Sequence, residues 1–191
     1  ASDVYKRQIK RLLIANRGEI ASRIISSAHD MGISCVAIYT EADKDTPYVR
    51  EADQAFKLSD SYLNSKEILD IALKSNSDAI HPGYGFLSEN AAFANQVKKL
   101  NIKWVGPSSN AIKKMGDKLT AKEIAIKANV PTLPMTSDPK KANSIGYPIL
   151  VKAAAGGGGK GMRIVEKARD LKESIKAAAV SYTHLTLPTN A

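Results

Sequence analysis

The chain has one cysteine, three histidines and one tryptophan in 191 residues. A single thiol excludes an intrachain disulfide, and Cys35 lies in the apolar run Ser34-Cys35-Val36-Ala37-Ile38, the setting of a core thiol rather than a nucleophile. No uninterrupted apolar stretch approaches the ~20 residues needed to span a bilayer, and no charged-then-apolar secretory leader opens the chain, so a cytoplasmic or equivalent location without membrane partners is expected. HxxxH, CxxC and paired-carboxylate patterns are missing, so no metal site is expected within these residues. His29 falls inside a helical pattern and His184 in the tail, which leaves His81 as the histidine in a site-like setting. Massed charge is lacking too. There are 28 Lys and Arg against 19 Asp and Glu, a formal net charge of +9, but the cations are spread along helices. Dispersed charge argues against a nucleic-acid groove, and a positive field around a site for phosphates and carboxylates accounts for it equally well.

What is present is an alternation of apolar runs with amphipathic helices. Leu12 to Ala15 reads as a strand, Asn16-Arg17-Gly18 as a turn, and Glu19 to Met31 as a helix closed by Gly32. Cys35 to Tyr39 is the next strand, followed by an acidic loop from Glu41 to Asp45 that ends at Pro47 and by a short apolar piece at Ala55-Phe56. A helix over Lys66 to Lys74, a strand at Ala79-Ile80, a helix over Ala91 to Leu100 and a strand over Lys103 to Val105 complete the series. This βαβ order predicts an α/β fold, a doubly wound parallel sheet over residues 9–107. Two helices, Asn110 to Met115 and Lys118 to Ala128, and a proline-spaced stretch form a helical linker over 108–139. Strands at Tyr147 to Lys152 and Gly161 to Val165 and a helix from Ala168 to Ala179 begin a second domain over 140–179, too short to be complete. Residues 1–8 lack periodicity, and 180–191 break the last helical pattern with strand-like residues and a proline. Both ends are expected to be foreign sequence.

Two motifs carry chemistry. His81-Pro-Gly-Tyr-Gly-Phe-Leu-Ser-Glu-Asn90 is a loop of mixed chemistry between a strand and a helix, the position where open α/β sheets bind ligands. Pro82 fixes φ, Gly83 and Gly85 permit turns that a Cβ blocks, and Ser88-Glu89-Asn90 can cap the following helix. An orienting hydrogen bond suits His81 better than acid or base work. Gly156, Gly157, Gly158 and Gly159 followed by Lys160 offer free backbone N–H groups and a point charge to phosphate oxygens, a cradle in form, with a flexible linker as the alternative. A Walker A loop is excluded, because Gly161 follows Lys160 and a strand rather than a helix comes next. Lys152 ends its strand on the face of Leu150, which alternation makes an inward face where a lysine needs an anion. Lys118 opens a helix, where the dipole gives a cation no local reason to sit. Each lysine alone also reads as a solvated surface charge. Asn16-Arg17-Gly18-Glu19 lacks the second and third glycines of a dinucleotide fingerprint and reads as a tight turn plus helix start.

Leu13-Ile-Ala-Asn-Arg-Gly-Glu-Ile-Ala21, His81 to Asn90, Gly106-Pro107, Met115-Gly-Asp-Lys118 and Tyr147-Pro to Arg163, taken in order, resemble the N-terminal part of biotin carboxylases over roughly Ile9 to Ala179. The resemblance implies a pre-ATP-grasp, Rossmann-like domain followed by the start of an ATP-grasp lid domain. It implies a ligase in which ATP, Mg2+ and bicarbonate form carboxyphosphate and the carboxyl group passes to biotin on a carrier protein. Lys118 and Lys152 resemble the family's phosphate-binding lysines, Gly156 to Gly159 with Lys160 its lid loop, and Met162 its adenine-side residue. His81, Tyr84 and Gly85 match the biotin and bicarbonate end of the pocket. Ala155 stands where some members extend the glycine run. The family's magnesium-binding glutamates, bicarbonate base and biotin-orienting arginine have no counterpart in these residues, so the catalytic residues are expected downstream and this piece is expected to be inactive. The implied partners are a biotin carboxyl carrier, a carboxyltransferase and a second copy in a homodimer. Another ATP-grasp carboxylase or ligase, a non-catalytic interaction module and, last, a nucleic-acid binder stay open as alternatives. The choice of acyl acceptor is not encoded here.

Overall fold

The computed structural model describes residues 8–152 and 162–185, with the backbone alone at 118, 119 and 179–185. The chain divides into two compact units, Ala1–Ala121 and Lys122–Ala191.

The first unit is built on β1 (Arg11–Ile14), β2 (Ser34–Tyr39), β3 (Gln54–Lys57), β4 (Ala79–His81) and β5 (Lys103–Trp104). All pair in parallel, in the order β3-β2-β1-β4-β5. The helices are α1 (Gly18–Asp30), α2 (Pro47–Glu51), α3 (Ser65–Lys74), α4 (Ala91–Lys99) and α5 (Ser109–Gly116). Apolar residues run unbroken along the central strands because both faces are covered. Leu13, Val36 and Ile80 pack with Ile68 and Ala72 of α3 and with Phe93 and Val97 of α4. On the other face Leu12, Ile14 and Cys35 pack with Ile20, Ile24 and Ile25 of α1 and with Tyr48 of α2. The sheet is doubly wound, as the pattern of the sequence predicts. Three helix starts are capped by side chains: Asn90 accepts from Phe93 N–H, as its sequence suggests, Asn64 from Glu67 N–H and Ser108 from Ala111 N–H. Gly32, just past α1, takes φ +71, which only glycine adopts without strain.

Two segments differ from the sequence reading. The expected acidic loop is a 3-10 turn, Glu41–Asp43, followed by α2 with Pro47 in its first turn. Tyr48, 1% exposed, anchors that helix in the core. The Ala55-Phe56 piece is the middle of β3, an edge strand whose outer residues are exposed, so its alternation is weak.

In the second unit α6 (Lys118–Lys127), which straddles the division, is followed by a 3-10 stretch at Pro139–Ser144. Next come the antiparallel pair β6 (Ile149–Val151) and β7 (Arg163–Val165), and α7 (Leu171–Leu185). α7 packs on the hairpin and buries Val165 and Ala178. Leu150 and Ile164, directly opposed in register, are 46% and 68% exposed. Lys152 is exposed as well. The inward face expected for Leu150 and Lys152 is therefore an outer one, because α7 covers the side carrying Val165. The last helix begins after a 3-10 turn at Ala168–Asp170 and continues past Ala179 to Leu185. Strand-like residues cost a helix only tenths of a kcal/mol each, about 0.7 kcal/mol at most, and Pro188, the first strong breaker, comes later.

Candidate functional site

The strand order reverses between β1 and β4, so the loops leaving their carboxyl ends flank a crevice, the usual ligand position in an open α/β sheet. Asn16, 2% exposed, closes the base of that crevice. Its Nδ2 donates to Pro82 O and Tyr84 O, both at 2.8 Å, and its Oδ1 accepts from Arg17 N–H at 2.9 Å. Ala15 N–H donates to His81 O at 2.9 Å. The His81 loop is thus sewn to the β1 loop by backbone and amide bonds. Gly83 sits against the clamp at φ +62, where an added Cβ would lie 2.6 Å from Asn16 Nδ2.

His81 is half-buried, and its Nδ1 accepts from Gly83 N–H at 3.0 Å. Burial, helped by the charge of Arg23, lowers its pKa, so the ring is neutral with its proton on Nε2. This is an orienting bond within the loop. Tyr84 is 60% exposed, and its hydroxyl donates to Glu19 Oε1 at 3.0 Å, which raises its pKa. Gly85 follows at φ +64.

A second tie runs along the same edge. Asp43, buried beyond β2, accepts from Tyr62 Oη and from the Arg17 guanidinium, and Arg17 also lies 5.8 Å from the Tyr62 ring centre. Tyr62 meets the Phe86 ring at 5.4 Å and the Tyr48 hydroxyl at 2.9 Å. Burial alone would raise the Asp43 carboxyl, but the bonds from Tyr62 and Arg17 outweigh it and hold the pKa below the usual value. Loops after β1, β2, β3 and β4 are therefore joined through one carboxylate and one aromatic pair.

The structure brings His81, Tyr84 and Gly85 together in one clamped loop. Lys118 opens α6, but its side chain lies outside the described residues, as do Gly156, Gly157, Gly158, Gly159 and Lys160. Lys152 follows β6 and Met162 precedes β7, both exposed, with Met162 at 45%. Sequence reading missed the roles of Asn16, Arg17, Asp43 and Tyr62. A buried asparagine straight after an apolar strand was the available signal for the first, whereas the other three meet only in three dimensions. Cys35 is buried, and desolvation with the Asp53 charge pushes its thiol up to about 11, as suits a core thiol.

A doubly wound parallel sheet with a clamped loop at its switch point, followed by a hairpin and helix, defines a Rossmann-like domain joined to the start of an ATP-grasp lid. Residues 8–112 match the family described as biotin carboxylase, N-terminal domain, and residues 117–186 match the carbamoyl-phosphate synthase L chain, ATP binding domain. The chain belongs to the biotin carboxylase N-terminal domain family. It is 49% identical over 181 residues to biotin carboxylase 1 of Bacillus subtilis, covering 88% of this chain and 40% of that protein. It is 46% identical over 189 residues to the mitochondrial methylcrotonoyl-CoA carboxylase subunit alpha of Dictyostelium discoideum, covering 92% and 27%. A biotin carboxylase of Campylobacter jejuni, solved as a βγ-ATP complex, superimposes with a TM-score of 0.89 at 42% identity over 95% of this chain and 44% of that one. The biotin carboxylase domain dimer of Hydrogenobacter thermophilus 2-oxoglutarate carboxylase, with MgADP, ADP and bicarbonate, gives 0.88 at 40% identity over 93% and 42%. The chain thus spans less than half the length of these relatives.

Proposed function

We propose that these residues supply the N-terminal domain and the opening of the lid of an ATP-dependent biotin carboxylase, a ligase that converts ATP, bicarbonate and carrier-bound biotin to carboxybiotin, ADP and phosphate. The observation that carries this reading is the His81 to Asn90 loop fixed at the switch point by Asn16. A ligand edge fixed in advance spends no binding energy on ordering itself. In this reading His81, Tyr84 and Gly85 line the biotin and bicarbonate end. The neutral His81 ring offers Nε2–H as a donor, and the exposed Tyr84 ring offers an apolar wall.

Lys118, Lys152 and Lys160 with the amides of Gly156 to Gly159 are assigned to the ATP phosphates, and Met162 to the adenine. Lysine ammonium groups and free amides are the donors that phosphoryl transfer requires. When bound, magnesium would neutralise phosphate charge. Among the described residues the one gathered set of three potential metal ligands contains a thiol and an imidazole, which do not suit it. On the family resemblance its ligands are assigned beyond these residues, with the bicarbonate base and biotin-orienting arginine, and the 191 residues alone are expected to be inactive. A biotin carboxyl carrier, a carboxyltransferase and a second copy are the partners this reading implies, in the cytoplasm. No helix among the described residues is long and apolar enough to cross a membrane.

The test is biotin-dependent ATP hydrolysis with bicarbonate and magnesium, comparing this chain with one from the same source extended through the whole ATP-grasp domain. Activity in the extended chain alone is expected. Activity in neither removes the assignment and favours another ATP-grasp ligase or a binding module.

A further inference from the structure

At the amino edge of the sheet, opposite the loops of the candidate site, three potential metal ligands meet from three separate elements. His29 stands in the last turn of α1, Cys35 is the second residue of β2, and Asp53 directly precedes β3. His29 Nε2 lies 3.0 Å from Asp53 Oδ2, and the same oxygen accepts a 2.7 Å hydrogen bond from Cys35 N–H. The imidazole nitrogen, a carboxylate oxygen and Cys35 Sγ all lie within 4.8 Å of one another. We propose that His29, Cys35 and Asp53 form a site for one thiophilic divalent cation of the Zn2+ class.

The donor set chooses the ion. One sulfur, one nitrogen and one oxygen suit zinc or cobalt, whereas magnesium and calcium take oxygen alone. Three protein ligands leave a fourth tetrahedral position for water or a small anion. The His29 and Asp53 side chains are exposed, which opens the cluster to solvent on their side. Tetrahedral zinc bonds of roughly 2.0 to 2.3 Å set ligand atoms about 3.4 to 3.6 Å apart, so the sulfur and its partners, within 4.8 Å, close by up to roughly 1.4 Å while His29 Nε2 and Asp53 Oδ2, at 3.0 Å, part slightly. Cys35 is fixed inside the sheet, so the adjustment falls to His29 and Asp53, whose side chains are 41% and 49% exposed at element ends. The Cys35 N–H bond already aims the Asp53 carboxylate. On binding, a metal–sulfur bond forms as the S–H bond breaks and the thiol proton passes to solvent, while the Nε2 proton that His29 directs at Asp53 leaves that nitrogen, by way of solvent to Nδ1, and frees the lone pair for the metal. Without a metal, His29 pairs with Asp53 and the Cys35 thiol packs in the core with long contacts to Ile25 O and Ile33 O, so the experiment has to separate the two arrangements.

Cobalt(II) added to the metal-free 191-residue chain tests this directly. One equivalent is expected to produce a near-ultraviolet sulfur-to-cobalt charge-transfer band with intense tetrahedral visible bands, and Zn2+ is expected to abolish both. Cys35→Ala and His29→Ala are expected to lose the charge-transfer band, and Asp53→Asn to bind more weakly. His29 and Asp53 are exposed, so their variants keep the test valid if Cys35→Ala fails to fold. Absence of the band in the unaltered chain, or unchanged affinity in any folded variant, overturns the site.

Discussion

The two units bury their apolar residues in different ways. In the first, Leu13, Ile14, Val36, Ile38 and Ile80 are all 0% exposed, because helices seal both faces of the sheet. In the second, α7 seals one face of the β6–β7 hairpin, while Leu150, Met162 and Ile164 meet solvent at 46%, 45% and 68%. A loop leaving the first sheet inherits a fixed origin, and Asn16 then fixes its course. The hairpin carries its residues on a support finished on one side. His81 therefore leaves a sheet sealed on both faces, whereas Lys152 and Met162 flank a hairpin sealed on one.

The largest expected effect sharpens this contrast. Ile80→Ala removes a fully buried side chain between the sheet and the layer of α3 and α4 and is expected to cost about 2–5 kcal/mol. Ile164→Ala, on the open face, is expected to change stability by no more than about 0.5 kcal/mol. Urea midpoints of the two variants measure both. Equal costs would break the comparison, because the hairpin face would then be as well packed as the sheet.

A smaller effect separates clamp from turn within the His81 loop. Gly83 and Gly85 both have positive φ, +62 and +64, and alanine at either position carries about 1–2 kcal/mol of left-handed strain. Only at Gly83 does the new Cβ meet anything within 4 Å, namely Asn16. Displacing that side chain leaves Pro82 O or Tyr84 O without its donor, a further ~1–3 kcal/mol. Gly83→Ala is thus expected to be the more damaging in thermal melts. Equal melting points would show that the Asn16 clamp contributes nothing to the loop.

These contrasts were legible in the sequence to different depths. Periods and breakers placed the strands and the other helices of the sheet within a residue or two, but the helix Pro47–Glu51 was read as a loop and the last helix begins three residues later and ends six residues later than read. Gly32 and Asn90 marked boundaries because glycine and asparagine act through local backbone chemistry. β3 was faint because an edge strand has little reason to alternate. The face of Leu150 and Lys152 was misjudged because alternation reports which residues share a side, not which side a later helix will cover. At the candidate site the His81 loop was visible as a contiguous motif. The Arg17–Asp43–Tyr62 tie and the His29, Cys35 and Asp53 cluster were not, since their members are brought together by strand order, which no local pattern states.

That tie yields the smallest expected effect, a pH dependence. The Asp43 carboxyl is held below its ordinary value, so the folded protein gives up its charge less readily than the unfolded chain, whose aspartates titrate near pH 3.9. The folded state binds fewer protons in that window, so the contribution is complete above about pH 4 and is lost as pH falls through the depressed value. Asp43→Asn is expected to flatten the loss of stability as pH falls below about 4. His81 acts in a separate window: its lowered pKa makes folding weaken as pH drops below about 6.5, equally in both proteins. Glu41, held at about 2 by hydrogen bonds from Lys44 and Lys57, and Asp53, lowered by the Cys35 N–H and His29, titrate in the acid range but are common to both as well. The difference between the two unfolding curves therefore isolates Asp43. Parallel curves would mean that Arg17 and Tyr62 do not stabilise the charge, and that the carboxyl-edge loops are held without it, by the Asn16 clamp and by packing of Tyr62 on Phe86.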